Sequence, residues 1–137
     1  MPTTELTLPV VRESTYIVVW EFQVKAECEA EFVAAYGPDG EWARLFERSP
    51  EFQGVELLGS VGNAGRYFTL DQWSSPAAMD AFLAANATLY DVLDRRFSSL
   101  TVWERRIGGF PCEAQGKQQV GIERLSRREG RDGEGEV

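Results

Sequence analysis

The 137-residue chain contains no histidine. That gap removes the usual general base near neutral pH, the commonest metal ligand and the usual proximal haem ligand. Cysteine is nearly as scarce. Cys28 and Cys112 lack metal-ligand spacing and are too few for a disulfide framework, so both are expected as reduced thiols and no metal site is expected. No apolar run approaches the roughly 20 residues of a membrane span. Residues 1–14 lack the charged and apolar regions of a signal peptide, and the expectation is a cytoplasmic protein with no membrane partner. Basic residues are also short: 14 Lys and Arg stand against 22 Asp and Glu, a formal charge of −8. Phosphate binding needs a basic stripe, so nucleic acid is not an expected partner. Gly59, Gly62 and Gly65 have the wrong spacing for a dinucleotide-binding loop, and no cofactor is expected.

What is present is apolar and aromatic: 43% hydrophobic residues, sixteen of the 137 residues being Phe, Trp or Tyr. One sizeable core, and hence one folded domain, is the expectation. Residues 1–13 carry no periodicity and read as a flexible arm. The strongest strand is 16–24 (YIVVWEFQV), apolar on both faces in its first half. Phe32, Val33 and Tyr36 then recur at helical spacing until Gly37-Pro38 breaks the helix. Asp39 is placed to cap a second helical piece carrying Trp42, Leu45 and Phe46. Residues 54–60 and 66–73 read as a hairpin. The second of these strands puts Tyr67, Thr69, Asp71 and Trp73 on one face and Arg66, Phe68, Leu70 and Gln72 on the other.

Ser75 is a good N-cap and Pro76 suits the first helical position. From there Ala78, Phe82, Ala85, Leu89 and Leu93 form one stripe, which predicts a single helix over 76–96. A last strand is expected over 99–107, closed by Gly108-Gly109. Residues 111–137, rich in Gly and charge and free of aromatic residues, read as a disordered polar tail.

The order strand, helix, strand, strand, helix, strand is the split βαβ arrangement of an α+β, ferredoxin-like fold: a four-stranded antiparallel sheet with both helices on one face. The first strand is apolar on both sides, yet helices cover only one. Leaving the other in water would expose a patch larger than monomers tolerate, so two subunits are expected to pack sheet against sheet as a homodimeric α/β barrel.

The runs YIVVWEF, GPDGEWARLF, RYFTLDQWSSPAAMDAF and LTVWERRIGGF together resemble the antibiotic biosynthesis monooxygenase (ABM) domain family over residues 14–110. The resemblance implies a ferredoxin-like protomer, a homodimer with a β-barrel at its centre, and a small-molecule pocket between sheet and helices. The superfamily includes cofactor-independent quinone-forming monooxygenases and haem-degrading enzymes, and shared fold alone does not choose among them. The haem-degrading branch relies on a helix histidine that this chain lacks.

Oxygenation without a cofactor is therefore what the resemblance suggests: a flat phenolic or polyketide-like substrate is deprotonated and passes an electron directly to O2. Such a site needs aromatic walls, a donor or cation for the phenolate, and a group that moves a proton. Candidate walls are Trp20, Phe22, Trp73, Phe82 and Trp103. Candidate polar groups are Arg66 and Tyr67, with Glu21, Asp71 and Glu104 as carboxylates. Arg66, Tyr67 and Trp73 are the catalytic candidates; Trp20, Glu21, Phe22, Asp71, Phe82 and Trp103 are the substrate-binding ones. Each also has a plainer reading as core packing or a structural ion pair. The alternative function is a non-enzymatic dimeric barrel that binds a hydrophobic ligand or supports a biosynthetic assembly. An open cavity receiving Arg66, Tyr67 or a carboxylate favours the enzyme; one filled by tryptophans favours structure.

Overall fold

The computed structural model describes residues 14–113. It contains strands β1 (Ser14–Val24), β2 (Phe52–Gly59), β3 (Arg66–Trp73) and β4 (Thr101–Glu113), with helices α1 (Glu29–Tyr36) and α2 (Glu41–Phe46) after β1, and α3 (Pro76–Ala85) and α4 (Ala87–Phe97) after β3. The strands form one antiparallel sheet in the order β2-β3-β1-β4, the ferredoxin-like arrangement with β1 and β3 central. Tyr16–Pro111 form one compact unit. The expected arm (1–13) and all but the first three residues of the expected tail (111–137) lie outside the described residues.

Register sorts the side chains into two faces. Tyr16 pairs with Trp73, Val18 with Asp71, Trp20 with Thr69 and Phe22 with Tyr67, so these residues share the face that the helices cover. Ile17, Val19, Glu21, Phe68 and Leu70 share the opposite face. The core lies on the helix side and is largely aromatic. Phe22 meets Phe32 and Tyr36 edge-on at 5.1 Å between centroids. Trp73, 1% exposed, packs against Phe46, Phe52 and Phe82 at 5.1–5.5 Å.

Local chemistry explains the element ends. Ser75 Oγ accepts the Ala78 N–H at 3.0 Å, with Pro76 opening α3. Gly37 ends α1 by donating its N–H to the Val33 carbonyl. Asp39, however, does not cap α2: the N-cap is Gly40, and the Asp39 carbonyl instead accepts Arg44 Nη2. Gly65, at φ +81°, turns the hairpin where a Cβ would press on Val24 O and the Gln23 side chain. Gly109 leaves room for the Tyr16 hydroxyl, which a Cβ would overlap.

β1 and β2 each begin two residues earlier than expected, β2 ends one residue earlier, and two further boundaries differ more consequentially. The predicted helix over 76–96 is two helices, broken at Asn86, whose side-chain Nδ2 donates to the Phe82 carbonyl alongside its own backbone N–H. Such local bonding competes with helix continuation. The break turns α4, so its inward stripe becomes Tyr90, Leu93 and Phe97, and Leu89 is left 42% exposed. The last strand starts two residues later than expected, after a 3-10 turn at Ser98–Leu100, and continues through Gly108-Gly109 to Glu113.

The Trp73 cluster joins β3 to α2, β2 and α3. Trp73→Ala is expected to cost about 3–5 kcal/mol through lost burial and the cavity it leaves. Loss of the Ser75 cap in Ser75→Ala should cost only about 1 kcal/mol. Urea unfolding midpoints of the two variants measure the contrast.

Candidate functional site

Between the helix-covered face of the sheet and the helices lies an open cleft with an empty volume of about 500 Å³, counted out to its mouth. Its sheet side is Trp20 and Phe22 from β1, Val55 from β2, Thr69 and Asp71 from β3 and Glu104 from β4. The helix side is Tyr36 of α1, Trp42, Ala43 and Phe46 of α2, and Tyr90 and Asp94 of α4. Alternation along β3 creates this arrangement: Trp73 seals one end of the strand in the core, and two residues earlier the same face presents Asp71 to the cleft. The aromatic walls are braced against one another, with Trp42 edge-on to Tyr90 at 4.9 Å and 6.0 Å from Tyr36. Rings fixed in this way form the apolar part of the cleft wall.

Asp71 has no hydrogen-bond or ion-pair partner among the described residues. Burial alone pushes its carboxyl up to about 7. Burial, and then the Asp94 charge, also raises Glu104. The tyrosines move the same way. Burial and then Glu104 push Tyr36 far above its ordinary value, and burial with Asp94, Asp71 and Glu104 pushes Tyr90 up to about 12. Both phenols therefore stay protonated at neutral pH and serve as donors. A third donor is the Trp42 indole N–H. It acts on Tyr36 in the opposite, lowering sense, yet it is buried with no group meeting hydrogen-bond geometry. A cleft with a carboxyl that titrates near neutrality and three nearby donors can accept a proton from a bound phenol and hold the resulting oxyanion.

Of the residues singled out in the sequence, Trp20, Phe22, Asp71 and Glu104 meet in this cleft. Tyr67, Trp73 and Phe82 are on its side of the sheet but do not line it. The Tyr67 hydroxyl donates to Glu29 at 2.8 Å, which raises its pKa, and Trp73 and Phe82 belong to the sealed core. Glu21, Arg66 and Trp103 lie on the other face. There Glu21, 3% exposed, accepts Arg66 Nε at 2.7 Å and Arg105 Nε at 2.9 Å. Burial opposes its ionisation, but the two arginines outweigh that and hold the carboxyl below its ordinary value. Trp103 is 42% exposed, with Arg105 over its ring. Sequence reasoning did not single out Tyr36, Trp42, Tyr90 and Asp94. The available signal was three aromatic residues with polar tips on inward helix faces, since such groups seek partners when buried.

The family profile of antibiotic biosynthesis monooxygenases matches residues 15–88, more than half of the chain. The chain belongs to the ABM family. Solved structures resembling this ABM domain include a mutant of SnoaB, a cofactor-independent oxygenase from Streptomyces nogalater. It is 23% identical, with a TM-score of 0.52 over 75% of this chain and 95% of the other. A putative antibiotic biosynthesis monooxygenase from Nitrosomonas europaea is 13% identical, with a TM-score of 0.53 over 74% of this chain and 91% of that one. A conserved protein from Methanosarcina mazei is 14% identical, with a TM-score of 0.55 over 79% and 100%. At these identities the likeness is one of fold. No curated protein matches the chain. Among the described residues no helix is long and apolar enough to cross a membrane, and no three Cys, Asp or Glu side chains are grouped to hold a metal ion.

The Asp71 environment has a consequence for stability. Its folded value of about 7 lies above the ordinary 3.8, so between the two the folded ABM domain keeps a proton that the unfolded chain has released. Stability from this group is present at low pH and falls as pH rises through that window. Asp71→Asn should therefore raise unfolding free energy by on the order of 2 kcal/mol above neutrality and by nothing below about pH 4, as read from urea midpoints across pH.

Proposed function

We propose that this ABM protein is a cofactor-independent monooxygenase acting in the cytoplasm on a flat phenolic or polyketide-like molecule, with Asp71 as the base. The observation that carries the reading is the unpaired Asp71 carboxyl in an aromatic cleft, titrating near neutral pH in a chain without histidine. The openness of the cleft and the carboxyl that enters it favour this over a purely structural barrel. Trp20, Phe22, Trp42 and Tyr90 sandwich the substrate, and Trp42 N–H with the Tyr36 and Tyr90 hydroxyls stabilises the oxyanion. Arg66, Tyr67, Trp73 and Phe82 act at a distance, holding the sheet and helices in place.

For an anthrone-like substrate the balance is that one ring methylene and one O2 become one ring carbonyl and one water. Asp71 takes the proton that leaves the carbon, and the carbanion passes one electron to O2. The resulting radical and superoxide combine, and Asp71 returns the proton to give a hydroperoxide. Removal of the remaining C–H proton then forms the carbonyl as the O–O bond breaks and water leaves. Apolar walls serve this step by keeping bulk water from the carbanion.

The second face of the sheet belongs to the same reading. Leu58, Trp103 and Ile107 are exposed large apolar residues, and Trp103 and Leu58 share that face with the Glu21 ion pairs. Two copies packed through it form a homodimer, in which Glu21 pairs with both Arg66 and Arg105 and leaves one positive charge per protomer.

Two measurements test the proposal. Metal-stripped protein should consume O2 with an anthrone or hydroquinone and release a quinone, and Asp71→Asn should lower the rate about 10²- to 10⁴-fold, the usual contribution of a general base. No uptake across a panel of such substrates counts against oxygenation. Sedimentation at micromolar concentration should give a dimer that Trp103→Lys converts to monomer, because a third cation would be buried beside Arg66 and Arg105 with only Glu21 to pair them.

A further inference from the structure

The charges around the cleft all have one sign. Asp71 on β3, Asp94 on α4 and Glu104 on β4 line it, and no Lys or Arg does. The two arginines nearest in the fold's logic, Arg66 and Arg105, are committed to Glu21 on the opposite face. None of the three carboxylates forms an ion pair among the described residues. Placing an anionic ligand here would set it against this field, and even a phenolate formed in place gains donors but no counter-charge.

The aromatic faces are unclaimed as well. The arginine-ring contacts among the described residues fall on Phe68, Phe97 and Trp103, none of which lines the cleft. Trp20, Trp42 and Tyr90 thus line the cleft with rings that no arginine covers, while Tyr36 is stacked on Phe32, and these walls suit a cation from outside the chain. The carboxylates are not grouped for a metal ion. They are spread over three elements around an aromatic slot, a distribution suited to an organic cation larger than an ion. Independently, Trp42 is 8% exposed and its indole N–H, turned toward the Tyr36 hydroxyl, meets no acceptor with hydrogen-bond geometry, so the donors on this side of the cleft are not fully used within the chain.

We infer that the molecule this cleft takes is a flat aromatic bearing both an oxygen acceptor and a protonated amine, the ammonium lying among Asp71, Asp94 and Glu104 with the oxygen toward the helix-side donors Tyr36, Trp42 and Tyr90. The inference rests on the cleft being the ligand site and deepens it by fixing the ligand's charge. The amine supplies the counter-charge that a phenolate would otherwise lack. It also ionises Asp71, so binding near neutrality releases a proton. The groups that set this response are Asp71, Asp94 and Glu104, with Tyr36 and Tyr90 remaining neutral.

Calorimetric titration of the full chain with a naphthalene ring bearing an aminomethyl, a hydroxymethyl or a carboxylate group tests the inference without requiring turnover. The amine should bind about tenfold or more tighter than the alcohol, and the carboxylate weakest. Buffers of different ionisation enthalpy should reveal proton release with the amine only. In Asp71→Asn and Glu104→Gln the preference for the amine over the alcohol should shrink several-fold, with urea unfolding showing that the variants are folded. Alcohol binding equal to or tighter than amine binding overturns the inference and leaves the cleft as a ligand site. Amine binding unchanged in both variants overturns it too, by placing the amine elsewhere on the acidic surface. Failure of all three probes overturns the inference together with the reading of the cleft as a site for flat aromatic ligands.

Discussion

Trp73 ends β3 with its indole enclosed by Phe46 of α2, Phe52 of β2 and Phe82 of α3. That contact sets how far the helical layer stands from the sheet at one end, because a ring of this size fixes the separation of whatever closes over it. Everything further along the same face of β3 follows from it. Asp71 comes next, where α2 and α4 have begun to diverge from the strands and leave the cleft. Thr69 continues its floor, and Tyr67, beyond the cleft, ties the strand to α1 through its bond to Glu29. Packing and site are thus consecutive positions on one strand face.

The two faces of the sheet handle a carboxylate in opposite ways, Glu21 being buried and Asp71 partly buried at the cleft. Glu21 receives two arginines and is held ionised; Asp71 receives none and is held protonated up to neutrality. A buried charge without partners is costly, and a paired one is costly to disrupt. The Glu21 arrangement therefore has the character of a structural fixture, while Asp71 carries an unfavourable environment that folding alone does not require. Strain of that kind concentrates where a group must change protonation state in use.

Much of the fold was legible because alternation and capping are local signals. The two faces of β3 came out correctly from period two, and Ser75-Pro76 marked the start of α3 to the residue. The break at Asn86 was not legible, since one competing side-chain bond overrode an apolar stripe that continued through it. Losing that break also hid Tyr90 and the exposed Asp94, whose place beside the cleft depends on the turn of α4. The extension of β4 to Glu113 passed unnoticed because glycines and a proline argue against a strand, although Gly109 serves here to admit the Tyr16 hydroxyl. Within the site, strand positions were visible as candidates and helix positions were not. A strand shows its two faces directly, whereas which helix residues border a cleft depends on how three separate segments pack.

The missing histidine and the raised Asp71 are two sides of one constraint. An imidazole titrates near neutrality wherever it is solvated; a carboxyl does so only if burial lifts it by about three units, which at about 1.4 kcal/mol per unit is a considerable cost to the fold. A chain that uses a carboxyl as base must therefore place it in a dry, aromatic setting, the same setting that a carbanion reacting with O2 needs. Under the proposal, the walls that shift the base also limit the water that reaches the intermediate once substrate fills the cleft. On the proposed reading the aromatic cleft is the means by which a protein without histidine has a base at all, and removing a wall such as Trp42 would return Asp71 toward an ordinary carboxylate as well as loosening the substrate.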